Sequence, residues 1–276
     1  VRSSSSIAAS SLGQKIANQK QLSLKVLTGV DLQAPVTELY TDEETAKNFL
    51  ERYGKVVVKP TDSAHGNGVT VNIRDIDALL VAVAAAKEFD SKGNVLLQEQ
   101  VSGTDLRVLT IGGRFAAAAL RIPAEVVGDG TSTLRELIEF ENTKNPERGV
   151  NYTKRLNFID LAAAERYLGV DIDSLKPAKG ETVRVTGPAN IGTGGRSIDV
   201  TDKIPAEIQQ KAEKISRILG LPTCGVDFMV DNIEETKDYR FIEVNACPSF
   251  GLHLFPSEGQ SRPVDKLFVD SLMEVV

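Results

Sequence analysis

An α+β fold in two lobes is what the sequence predicts, and three observations carry that expectation. Residues 55–100 pass from a strand period to a helix period and back again. Residues 107–120 hold two apolar runs joined by Gly112-Gly113, a pair suited to a tight hairpin. Residues 226–245 hold two more apolar runs, each carrying acids inside it. Strands, helices and hairpins mixed in this way define an α+β protein.

The elements follow in order along the chain. From about residue 7 to 54 the pattern is helical: Ile7, Leu12 and Ile16, then a run from Leu22 to Leu27, then a second helix behind the capping box Thr41-x-x-Glu44. Lys55 to Lys59 is a strand, Asp62 to Gly68 a Gly-rich turn, and Val69 to Ile73 a second strand. Ile76, Leu79, Leu80 and Val83 recur at helical spacing, and Val95-Leu96-Leu97 closes the unit as a third strand. The hairpin pairs Arg107–Ile111 with Phe115–Leu120, and a helix follows the capping box Thr133-x-x-Glu136. The polar stretch 141–182 shows no clear period. Ile208, Ala212, Ile215 and Leu219 mark a helix, Val226–Val230 and Arg240–Asn245 are strands, and a Pro/Ser/Gly-rich loop leads to a terminal helix.

Composition narrows the chemistry. Lys and Arg number 32 against 38 Asp and Glu, so the net charge of −6 offers no global case for nucleic acid or membrane. No apolar run approaches the roughly 20 residues of a membrane span, and no leader pattern opens the chain, so the expected setting is cytoplasmic. With two His, two Cys and no Trp, a His-rich zinc centre, a CxxC redox pair and a disulfide framework are all poorly supplied. Cys247 is expected to be buried and inert. Chemistry must then rest on Lys, Arg, Asp, Glu and backbone.

Two constellations stand out. Lys59 ends the apolar strand Val56-Val57-Val58 beside the turn Asp62 to Gly68, where an ammonium and close backbone N–H groups suit a phosphate. The alternative is a strand-end lysine in water. Neither GxxxxGK[ST] nor a strand-borne GxGxxG is present. The second is Asp227 in Gly225-Val226-Asp227-Phe228-Met229-Val230, with Glu243 and Asn245 in Phe241-Ile242-Glu243-Val244-Asn245. A period of two places Glu243 and Asn245 on one face with Ile242 and Val244 buried opposite, and three oxygen donors suit Mg²⁺. Here the alternative is a solvated strand face. Gln98 to Asp105, running from a strand into a Gly turn, reads equally as a nucleotide-binding hinge or as a plain linker.

Collinear along the chain, these pieces resemble the ATP-grasp superfamily of carboxylate–amine ligases, and most of all the ATP-grasp region of cyanophycin synthetases and bifunctional glutathione synthetases. The likeness runs from Ile16-Ala17-Asn18-Gln19-Lys20 through Val56–Val69, Ser102–Val108, Arg121–Gly130, Ala189–Gly195, Ile198–Thr201, Gly225–Asp227 and Glu243–Ala246 to Pro256–Gly259. It implies two α+β lobes with ATP bound between them. Residues 1–100 would supply N-terminal helices and the small lid subdomain, 101–276 the large subdomain, and the preceding substrate domain is expected to be absent or reduced. The cofactors implied are ATP and Mg²⁺. Lys20 and Lys59 would hold the phosphates, with Ser63, His65, Gly66 and Gly68 in a closing loop. Gln98, Glu99 and the backbone to Val101 would hold adenine, and Asp105 the ribose. Asp227, Glu243 and Asn245 would bind Mg²⁺. Arg107, Arg121, Arg184 and Asn190 would face an acyl phosphate or the substrate carboxylate, and His253 and Arg262 the acceptor. The partners implied are a small carboxylate and an amine, with no nucleic acid and no membrane, and the resemblance allows a homodimer. An inactive nucleotide-binding regulatory module is the alternative. Such relatives commonly show an acid where Gln98 stands and an Arg where Gly225 stands.

Overall fold

A computed structural model describes residues 8–27, 30–62, 67–149, 156–187, 189 and 191–274. The chain divides into two compact units. The first comprises Val1–Ala118, Thr201–Ser249 and Val264–Val276, the second Ala119–Val200 and Phe250–Pro263. The boundary expected between residues 100 and 101 lies inside the first unit.

The first unit opens on two short helices, α1 (Ser11–Ala17) and α2 (Lys20–Leu27). Ser10 caps α1 by accepting from the Gly13 N–H. A four-stranded sheet follows in the order β1-β4-β2-β3, from β1 (Thr37–Leu39), β2 (Val56–Pro60), β3 (Thr70–Ile73) and β4 (Val95–Glu99). Strand β1 departs from the helical reading of residues 7–54. Its three residues pair antiparallel with β4, which sequence spacing alone does not reveal.

Helices α3 (Glu43–Tyr53) and α4 (Ile76–Glu88) cover one face of this sheet. Asp42, not Thr41, caps α3, its carboxylate accepting from the Thr45 N–H, while the Thr41 hydroxyl bonds to Thr45 and Asp42. The cap lies one residue later than the capping box suggests. Phe49, Val56, Val58, Leu79, Val83 and Leu97 fill the space between helices and sheet. Each such side chain contributes roughly 1.5–3 kcal/mol by leaving water. Since Val56 and Val58 face this core, Val57 and Lys59 face the other way.

The second sheet of this unit runs β11-β10-β5-β6, with β5 (Thr104–Ile111), β6 (Arg114–Ile122), β10 (Cys224–Val230) and β11 (Tyr239–Asn245). The hairpin of β5 and β6 turns on Gly112 and Gly113, at φ 59° and 76°, the two positive values a tight twisted turn requires. Helix α7 (Ala206–Leu219) and the terminal helix α9 (Val264–Met273) pack on β5.

In the second unit, β6 from Ala119 pairs with β9 (Arg196–Asp199), and β7 (Glu125–Val127) pairs with β8 (Thr182–Arg184). Thr133 and Glu136 form the expected capping box at the start of α5 (Leu134–Lys144). The stretch without clear period contains α6 (Leu161–Leu168), whose punctuation is Asp160 at the N-cap and Gly169 at the C-cap. Helix α8 (Gly251–Leu254) lies in the loop before α9. Leu134, Ile138, Ile159, Ala164, Ile172 and Val185 build this unit's core. Among the described residues no helix is long and apolar enough to cross a membrane.

Candidate active site

Strand register brings the charged residues of the first unit together. Arg107, Asp227 and Glu243 stand directly opposite one another on β5, β10 and β11. The register slips by one residue between Asp227 and Phe228, leaving Ile242 as the extra residue of a bulge. That bulge corrects the simple period of two: Val244 is buried, whereas Ile242 is only half-buried. It also re-aims Glu243 and Asn245 relative to the core residue Phe241.

The Asp227 carboxylate is buried and fully engaged. Arg107 grips it through Nε and, at 2.9 Å, through Nη2. Asn245 Nδ2 donates to Asp227 Oδ2 at 3.0 Å and reaches Glu243 Oε1 at 3.5 Å. The two carboxylates therefore converge on the Asn245 amide group. Arg107 occupies this position because Gly225 has no side chain: a Cβ there would lie 2.7 Å from Arg107 Cδ. Gly225 faces Asn245 on β11.

Two lysines approach the same acids. The N-terminus of α2 is tied to β2 by the Lys20 N–H donating to the Thr61 carbonyl at 3.2 Å, and Lys20 Nζ lies 4.0 Å from Glu243 Oε2. Lys59 is 4 % exposed, and its ammonium donates to Gln98 Oε1 at 3.0 Å. Burial pushes this lysine down to about 8, with Glu243 opposing the fall and Lys20 adding to it. Asp90, which sequence reading missed, fastens the exit of β2 by accepting from the Thr61 N–H at 2.8 Å, and from Lys92 and Asn94 at 2.9 Å each. Its signal was weak, a single acid between a helix and a glycine turn.

The other expected residues are placed as follows. Asp105 shares the β5 face of Arg107, two residues away, and lies opposite Met229. Glu99 accepts from the Val36 N–H at 3.2 Å, Val101 is half-buried, and Gly68 sits at φ 70° against Phe89 and Pro60. Ser63, His65, Gly66 and Asn190 lie outside the described residues. Arg121, Arg184, His253 and Arg262 belong to the second unit. There Arg121 lies opposite Ser197 on the β6–β9 ladder. The Arg184 guanidinium donates to the carbonyls of Thr186 and Gly187 and covers the Tyr167 ring at 5.8 Å. His253 is buried, and Arg262 forks onto Asp199 through Nε at 3.0 Å and Nη2 at 2.6 Å. Cys247 is exposed rather than buried; Cys224 is the buried thiol, pushed up to about 11 by that burial.

The architecture is that of the ATP-grasp fold. Residues 24–158 match the family described as prokaryotic glutathione synthetase, ATP-grasp domain. Cyanophycin synthetase of Synechocystis is 35 % identical over 273 residues, covering 95 % of this chain and 31 % of that protein. The glutathione biosynthesis bifunctional protein GshAB of Clostridium perfringens is 32 % identical over 266 residues, covering 93 % and 34 %. A solved bifunctional glutathione synthetase from Pasteurella multocida superposes with a TM-score of 0.63 at 29 % identity, over 98 % of this chain and 38 % of that one. D-alanine–D-alanine ligase from Bacillus anthracis shares the fold at a TM-score of 0.56 and 15 % identity, covering 96 % and 69 %. The chain spans about a third of the length of the curated relatives it matches.

Proposed function

We propose that this chain carries the ATP-grasp centre of a ligase that uses ATP and Mg²⁺ to join a carboxylate to the amine of an amino acid or peptide. The observation that supports it most is the convergence of Lys20, Lys59, Asp227, Glu243 and Asn245 within one unit. The donor set fits Mg²⁺. Two carboxylates meet one amide, and turning the Asn245 amide over would present a third oxygen in place of the amino group. Asn245, in reach of both carboxylates, would complete the set. When bound there, the ion would neutralise phosphate charge.

The protein's own part is positioning and charge. Lys59, held against Gln98, and Lys20 at the start of α2 set two positive charges for the phosphates. The substrate carboxylate attacks the γ-phosphate to give an acyl phosphate and ADP, and the amine then displaces phosphate. Arg121, Arg184 and Asn190 are proposed to meet the acyl phosphate and the carboxylate, and His253 and Arg262 to border the acceptor. Arg107 acts one step removed, by orienting Asp227. No protein nucleophile is needed, in keeping with the inert Cys224.

The test is ADP release from Mg-ATP across a matrix of carboxylates and amines. Dependence on both partners supports the ligase. ADP with a single partner and a stable phosphorylated product would mean a kinase, and tight ATP binding without turnover a regulatory module. Lys59 adds a pH signature. As pH rises through about 8 its amine progressively loses the charge that attracts phosphate. ADP affinity without divalent metal is expected to fall as pH rises through that value, by up to about tenfold per unit. Calorimetry from about pH 7 to 9.5 reads this, and a flat profile contradicts it.

A further inference from the structure

Thr37, on the edge strand β1, stands opposite Gln98 on β4, which in turn stands opposite Val57 on β2. The Thr37 hydroxyl has one hydrogen, and it is donated to the Pro35 carbonyl at 3.0 Å. Its oxygen is left to accept, and Gln98 Nε2 donates to it at 2.8 Å. That sense of donation turns the Gln98 carbonyl oxygen toward Lys59, whose Nζ donates to it at 3.0 Å. An ammonium only donates, so both ends of the amide agree. The relay from Lys59 through Gln98 and Thr37 to Pro35 has a single direction.

We propose that Thr37 is a positioning residue for Lys59. It fixes the Gln98 amide in the one orientation that holds the ammonium by a neutral acceptor. The proposal rests on the reading of Lys59 as a phosphate-binding group, and deepens it. A carboxylate at residue 98 would orient the ammonium but cancel its charge; an amide orients it and leaves the charge for the phosphate. The orientation then needs a guard, because an amide has two faces of similar shape and opposite polarity. Without the Thr37 hydroxyl, the buried Gln98 amino group has lost its acceptor. Turning the amide to find another would set that amino group against Lys59.

The test compares ADP binding to the full chain and to Thr37→Val, Thr37→Ser and Lys59→Met, by calorimetry. Thr37→Val is expected to weaken ADP binding about tenfold, the equivalent of one lost hydrogen bond to a charged centre. Thr37→Ser, which keeps the hydroxyl, should bind as the parent does. Gln98→Met guards against a Thr37→Val chain that does not fold: it should show the same loss, and adding Thr37→Val to it should cause no further loss. Parental affinity in Thr37→Val, failure of Thr37→Ser to bind, or full additivity with Gln98→Met overturns the proposal. Undiminished ADP binding in Lys59→Met would instead overturn the phosphate role of Lys59 itself.

Discussion

Replacing Glu243 by Gln is expected to lower ATP turnover by about a thousandfold or more while leaving nucleotide binding intact. The substitution keeps side-chain size and the oxygen that faces Asn245 Nδ2 at 3.5 Å, and removes only the charge. The side chain is 31 % exposed and its lysine partner lies 4.0 Å away, so the folded state loses little, under about 1 kcal/mol. Nucleotide affinity should hold or rise, because Lys20 and Lys59 would no longer share their field with a carboxylate. The signature is a kcat that collapses with a KM for ATP that does not increase. Near-parental turnover in this variant would remove Glu243 from the proposed metal site.

Arg107→Met is expected to have the opposite profile, with its first effect on stability. Asp227 is buried, and both of its oxygens are gripped by the guanidinium. Removing that partner leaves a buried carboxylate without the guanidinium that grips it. Breaking a buried pair from one side costs about 3–5 kcal/mol, and urea denaturation would measure it. The double variant Arg107→Met with Asp227→Asn should recover part of that loss, since the stranded charge is gone. A single variant within about 1 kcal/mol of the parent would show that Asp227 does not depend on Arg107.

Much of this site was legible because its signals are local. Lys59 closes a run of three valines, Asp227 and Glu243 interrupt apolar strands, and Gly112-Gly113 can only be a turn. What stayed hidden depends on register. The grip of Arg107 on Asp227 joins residues 120 positions apart and exists only once β5 and β10 are aligned. The bulge at Ile242 shifts the alternation by one residue, and a period-of-two argument carries straight across it. Strand β1 is too short to show any period, so Thr37 gave no sign of its place beside Gln98. Arg262 became a candidate for the acceptor through the family resemblance, and nothing in the sequence marks a partner for it. Its fork onto Asp199 spans 63 positions of sequence.

The empty space at Gly225 has an evolutionary consequence. Arg107 fills the volume that a side chain at residue 225 would need, with its Cδ, Nε and Nη1 all within 2.9 Å of an added Cβ. The two positions share one compartment, which cannot hold a side chain from both. A lineage that moved the arginine from one strand to the other would have to change both codons. Each single step passes through a crowded protein or one whose buried acid is stranded. The location of the guanidinium is thus set by steric exclusion between neighbouring strands, so the two positions can change only together.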